Sequence, residues 1–356
     1  MVDKALVIVV FGTVACVPPE AGKPAARDSG LQADSAPTLT TDSEPTTSES
    51  TPPYDDGTDT DDDGLTDVEE AALSTDPGAV DTDGDGLSDG LEVLGGDGLD
   101  PGQIPVSPLH ADLLVEVDWM EADDHTHYFV DEAVQINVAA FAASPRMNPD
   151  GTTGIRLHVD RGQWGGGNVI AHASRTNPAT FAEVRSANFG AARHGIFHHA
   201  MFIHTYDSSG SSGVADFVGD NLIVSLGYWF DQGEVPTDQA GTFMHELGHN
   251  LGLDHGGGDG INNKPNYPSV MNYAWQTTGL DGSAFLTTAG DYDYSYGLEP
   301  DVNEADLGFD VDGDRRLTST IHDHDDWSAV ILDWAAVPGH MLVSREIRCG
   351  PPLGLR

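Results

Sequence analysis

Polar and apolar positions change period several times along the 356 residues. From Leu113 onward, ADLLVEVDW at 111–119 alternates apolar and acidic side chains, the period-two signature of a strand. Residues 127–143 then set Val130, Val134, Val138 and Phe141 along one face, which predicts a helix. GIRLHVD at 154–160 reads as a second strand. Residues 164–172, with three consecutive glycines, read as a short edge strand or a loop. A helix near 179–189 is followed by strands around 195–206 and 221–229. The next helix is expected to be capped by Thr237 or Asp238 and to turn Phe243, Met244, Leu247 and Leu251 toward a core. Within 324–337, Trp327, Val330, Ile331 and Trp334 recur at helical spacing and predict a C-terminal helix. Strand, helix, further strands and helix together imply an α+β fold.

The first hundred residues follow other rules. ALVIVVFGTVA at 5–15 is apolar but too short to span a bilayer, and it reads as the core of an export signal. Cys16 follows Val14 and Ala15, which resembles a bacterial lipobox with a lipidated cysteine; the alternative is an ordinary secretory signal cut near Ala15. Either way the chain is expected outside the cytoplasm, as an outer-membrane or cell-surface lipoprotein or as an extracellular protein, with membrane contact only through that anchor. Residues 17–57 hold Pro, Ser, Thr, Asp, Glu and Ala with almost no large apolar side chain, the composition of a solvated tether.

Two copies of one acidic pattern come next, DTDDDGLTDVEE from Asp59 and DTDGDGLSDGLE from Asp81. Each sets oxygen ligands at positions 1, 3, 5, 9 and 12, a glycine at 6 for the sharp turn and a backbone carbonyl at 7, the donor set of a calcium loop. The expected ligands are Asp59, Asp61, Asp63, Leu65, Asp67 and Glu70, then Asp81, Asp83, Asp85, Leu87, Asp89 and Glu92. Ten residues between Glu70 and Asp81 are too few for paired helix–loop–helix units. The repeat instead resembles the thrombospondin type 3 kind, a chain wound around calcium. DVDGD at 310–314 begins similarly, but Arg315 and Ile321 stand where a turn glycine and a last carboxylate belong, so an acidic turn is expected. With 59 acids against 15 Lys plus Arg, a net charge of −44 disfavours nucleic acid and anionic lipid as partners. Two cysteines, Cys16 and Cys349, make no disulfide framework.

The densest chemistry lies in HELGHNLGLDH, residues 245–255. His245 and His249 fall one turn apart on one helix face and can share an ion. Glu246 lies beside them, placed to accept a proton from water rather than to ligate. Gly252 can adopt the left-handed conformation that ends a helix, returning the chain so that His255 approaches from a third direction. Three imidazoles with one open position describe a catalytic zinc site.

These residues match every fixed position of HExxHxxGxxH, and the chain resembles the metzincin zinc metallopeptidases. YPSVMNY at 267–273 resembles their methionine turn, with Met271 beneath the metal and Tyr273 matching a tyrosine that some members place near it. The resemblance implies a twisted mixed sheet and hydrolysis of peptide bonds in protein or peptide substrates, with zinc and Glu246 catalytic, Tyr273 assisting the oxyanion, and an antiparallel edge strand holding the substrate; a monomer is expected. Gly256 leaves the subfamily undetermined. The expected organisation is thus a signal at 1–16, a tether at 17–57, calcium repeats at 58–102, a zinc peptidase domain at 109–345 and a tail at 346–356.

Other readings compete. A calcium-dependent adhesion or matrix-binding protein with a structural or vestigial zinc site is the chief alternative, and hydrolysis of a non-peptide bond is another. His198, His199, His204, His322 and His324 read as satisfied core or surface side chains. Arg348, Cys349, Gly350 and Pro352 resemble the RCGxP segment with which matrix metalloproteinase propeptides hold a thiolate on zinc, but a flexible tail is the simpler expectation.

Overall fold

The computed structural model describes residues 57–96, 98–208, 210–227, 235–280, 291–337 and 345–349. The export segment, Cys16 and the tether lie outside these residues. Two short helices, α1 (Asp67–Leu73) and α2 (Asp89–Leu94), close the two acidic loops. They are followed by β1 (Asp112–Glu121), α3 (Asp131–Ala142), β2 (Arg156–Asp160), β3 (Val169–Ala171), α4 (Pro178–Asn188), β4 (Phe197–Ile203), β5 (Gly213–Phe217), β6 (Asn221–Ser225) and α5 (Pro236–Asn250). The last third is loop-rich: β7 (Val302–Asn303), α6 (Glu304–Leu307), β8 (Thr320–Ile321), α7 (Asp326–Ala329) and β9 (Arg345–Cys349).

The main sheet is mixed and runs β2-β1-β4-β6-β5-β9, with β3 pairing the far end of β1. Strands β1 to β4 and β6 are parallel, whereas β5 runs antiparallel to β6 and β9 antiparallel to β5. Strand β1 is buried along nearly its whole length, as a strand covered on both faces must be. Its odd positions Leu113, Val115, Val117 and Trp119 join the main core, packed with Phe129, Phe202, Phe243 and Leu247. The opposite face does not reach water, as simple alternation would suggest. Glu116 there meets Arg193 at 2.8 Å, and Asp118 accepts from His199 at 2.9 Å, so the acids are buried with partners.

Three predicted elements differ from those observed. Helix α3 buries Ala133, Asn137, Ala140 and Phe141, while Val138 is exposed. The buried stripe is therefore rotated by about one residue from the valine stripe, and Asn137 is tolerated inside because its side-chain amide donates to the Ala133 carbonyl. Helix α5 starts at Val235 with no side-chain cap; Pro236 sets the first turn, and Thr237 and Asp238 lie inside it. The C-terminal helix shrinks to four residues in α7. After it the Ile331 N–H donates to Leu251 O, so the backbone binds the end of α5 instead of continuing its own helix. Residues 345–349 are not a free tail but the edge strand β9. No helix among the described residues is long and apolar enough to cross a membrane.

Candidate metal centres

Helix α5 is buried from Asp238 to Asn250, and on it His245 and His249 lie one turn apart. The helix ends in a tight reversal: Gly252 takes φ +94°, its N–H donates to His249 O at 3.1 Å, and Leu253 N–H donates to Gly248 O at 2.8 Å. That reversal brings His255 back toward the helix. The three rings lie 4.8, 5.3 and 4.9 Å apart between centroids, and one ring nitrogen from each falls within 4.8 Å of the others.

The Nδ1 contacts show which ring nitrogens carry protons. His245 Nδ1 is 2.7 Å from Val270 O and His249 Nδ1 is 2.7 Å from Leu253 O. A carbonyl only accepts, so each Nδ1 carries the proton and each Nε2 turns its lone pair toward the shared centre. Burial and the neighbouring histidines push His245 well below its ordinary pKa, keeping the ring neutral.

The carbonyl that orients His245 belongs to the predicted methionine turn. Met271 is fully buried, and a Cβ on Gly248 would come within 2.3 Å of its sulfur, so the turn packs directly under the helix between the two histidines. Tyr273 lies with its ring 4.6 Å from His255 and 5.5 Å from His245. The turn is anchored by Asp326, which sequence reasoning missed. Its carboxylate accepts from Ser269 Oγ (2.6 Å), Tyr267 Oη (2.9 Å) and Ser295 N (3.0 Å), and His324 Nδ1 lies at 2.9 Å. No local pattern marks it, because its partners are 2 to 59 residues away.

Cys349, expected on a flexible tail, is instead the fourth side chain at this centre. Strand β9 places its Sγ 3.1 Å from His245 Nε2, 3.4 Å from His249 Nε2 and 3.6 Å from His255 Nε2. In a tetrahedral zinc site with Zn–S near 2.3 Å and Zn–N near 2.0–2.1 Å, sulfur and nitrogen lie about 3.6 Å apart. The three imidazoles and the thiol therefore fit a zinc ion with four ligands. Burial, and then the Glu246 carboxylate, push the thiol well above its ordinary pKa in the metal-free protein. Glu246 is itself fully buried, and burial raises its carboxyl well above the usual range. In register, Cys349 faces Gly213 of β5, so β9 adds to β5 as an extended peptide would.

The acidic repeats fold as two near-copies. Asp59 accepts from Asp62 N and Gly64 N, and Asp81 likewise from Gly84 N and Gly86 N, at identical offsets. Leu65 and Leu87 are buried at position 7. Asp67 and Asp89 spend both oxygens on Thr60 and Thr82, closing each loop on itself. The position-5 acids reach the next unit. Asp63 accepts from Gly90 N at 2.6 Å, and Asp85 from Asp112 N at 2.5 Å, so the same contact that joins the repeats also ties the second one to β1. Leu87, Leu99 and Ile104 pack with Leu114 and Phe197 beneath it.

Both carboxylate oxygens of Glu70, Glu92 and Asp83, with Asp61 Oδ2, are buried without a hydrogen-bond partner. Burial and then neighbouring acids push Glu92 to about 11, and Glu70 and Asp83 to about 7. Such a set calls for a multivalent cation, and all-oxygen donors fit calcium. The 310–314 turn differs: Glu304 accepts from Val311, Asp312 and Ser319 backbone N–H groups, so the peptide chain satisfies its carboxylate.

Residues 59–77 and 81–96 match the bacterial TSP3 repeat. No curated protein matches the chain. Among solved structures, the chain is similar to Tannerella forsythia mature mirolysin in complex with a cleaved peptide. The match has 13% identity and a TM-score of 0.25, and covers 64% of this chain and 89% of that one.

Proposed function

We propose that the chain is an exported, zinc-dependent endopeptidase held latent by its own C-terminal strand. The observation that carries this reading is the convergence of three imidazoles beside a buried glutamate that no structural zinc site requires. His245, His249 and His255 would hold the ion. Zinc, when bound, supplies a Lewis acid and lowers the pKa of water toward 7. Glu246 would accept a proton from the attacking water and return it to the leaving amine. Tyr273, beside His255, would donate to the developing oxyanion. Strand β5 would hold an extended peptide by main-chain hydrogen bonds, which suits many sequences. In the latent state β9 lies along that edge, and Cys349 would hold the fourth position on the ion. The two TSP3-like loops would bind calcium and stiffen the approach to β1.

One observation favours a second reading. Three histidines and a cysteine make a closed ligand set of the kind structural zinc sites use, as an adhesion protein would need. Glu246→Gln separates the two when made in a chain that also carries Cys349→Ala. The peptidase reading expects zinc content unchanged and cleavage of denatured protein reduced by roughly 100-fold or more. Cleavage that survives the substitution would remove Glu246 from this role.

A further inference from the structure

A second histidine cluster lies away from the first. Beyond Glu121 the chain folds back on β1: Ala122 N–H donates to His125 O, and His127 N–H donates to Met120 O. This return places His125 and His127 two residues apart on extended chain. His172 directly follows β3 and His204 directly follows β4, the strands that flank β1 in parallel. Three neighbouring parallel strands thus deliver four imidazoles at their C-terminal ends, where open parallel sheets commonly bind ligands.

The four rings sit at the corners of a compact figure. Their six centroid separations run from 4.8 Å (His125–His172) to 6.1 Å (His127–His172), the others being 5.1, 5.3, 5.2 and 5.1 Å. The three rings of the first centre show nearly the same spacing, 4.8 to 5.3 Å. One nitrogen from each of the four lies within 4.8 Å of the rest, and His127 Nε2 stands 3.3 Å from His204 Nδ1. His127 is 2% exposed. The Nε2 atoms of His125 and His172 are buried and make no hydrogen bond. Asp124 meets His125 Nδ1 at 2.8 Å, the carboxylate contact that fixes the tautomer of a ligating histidine and leaves Nε2 bare.

We propose that His125, His127, His172 and His204 form a second transition-metal site, which takes a zinc-class divalent ion and pins the C-terminal ends of β1, β3 and β4. An all-imidazole set selects late first-row ions such as Zn2+ over calcium or magnesium. The site is closed by four protein ligands, so its role is structural. It reaches α5 through the chain that follows it, where Gln239 Nε2 donates to Tyr128 O and Val130 N–H donates to Gln239 Oε1. His204 is therefore assigned as a ligand, not as the satisfied core histidine that the sequence suggested.

The test counts ions on the full chain in excess calcium, loading the apoprotein with Zn2+ and measuring bound metal after gel filtration. The proposal expects two zinc ions per unmodified chain, one in His125→Ala/His172→Ala and one in His245→Ala/His249→Ala. One ion in the unmodified chain with none in His245→Ala/His249→Ala would overturn it, as would two ions persisting in His125→Ala/His172→Ala. The His245→Ala/His249→Ala count decides the matter even where the other double variant fails to fold, because His255 and Cys349 alone leave the first centre two ligands short.

Discussion

His198 shows quantitatively how the helix that carries His245 and His249 is held. It is fully buried on β4, with its ring 5.3 Å from Trp334 and its Nδ1 3.3 Å from Asn250 Oδ1. Asn250, the last residue of α5, donates through Nδ2 to Asp216 O and Asn221 O and so fastens the helix to β5 and β6. Burial lowers the His198 pKa from 6.5 to about 4. The unfolded chain therefore takes up this proton first. The neutral ring's contribution is complete above pH 6.5 and is lost as pH falls toward 4. A shift of that size is worth on the order of 3 kcal/mol, with roughly 2 to 3 of it expressed between pH 7.5 and pH 4.5. His198→Gln keeps a donor for Asn250 but removes the titration. Urea unfolding in excess calcium, followed by tryptophan fluorescence, should show the variant gaining that amount relative to the unmodified chain at the lower pH. A stability gap constant to within about 0.5 kcal/mol between the two pH values would refute the reasoning.

Two other outcomes follow from the same geometry. Asp326→Ala should loosen the turn that presents Val270 O to His245, weakening zinc binding by about 10- to 100-fold in a competition titration while the calcium count is unchanged. Removing calcium should leave Glu70 buried against Asp61 and Asp63, and Glu92 buried against Asp85 and Asp83. With each loop at about 100 times its Kd contributing about 2.7 kcal/mol, calorimetry should show Tm falling by roughly 10 °C or more, and a shift of about 1 °C would speak against loaded loops.

The grouping of the three histidines of the first candidate centre was legible because its geometry is local. Helical spacing puts His245 and His249 together, and one glycine with φ +94° returns His255, all within eleven residues. The acidic loops were legible for the same reason, although the sequence did not reveal that Asp67 and Asp89 are drawn to Thr60 and Thr82. What escaped depends on distant partners. Strand β5 is short and opens on a glycine, and it becomes a strand by pairing with β6 and β9. Asp326 and the four-histidine cluster are assembled from elements far apart in the chain. The spacing of Trp327, Val330, Ile331 and Trp334 was misleading, because these side chains pack as separate anchors: Trp327 in the main core and Trp334 against His198.

A latent peptidase should gain activity when the fourth position is freed. Cys349→Ala, loaded with zinc in excess calcium and given a denatured protein, should cleave it at least about tenfold faster than the unmodified chain, since an intramolecular ligand at high effective concentration has been removed. A zinc chelator should abolish that cleavage, and added zinc should restore it. A Cys349→Ala chain that binds zinc in full at the first centre and cleaves nothing would contradict the account.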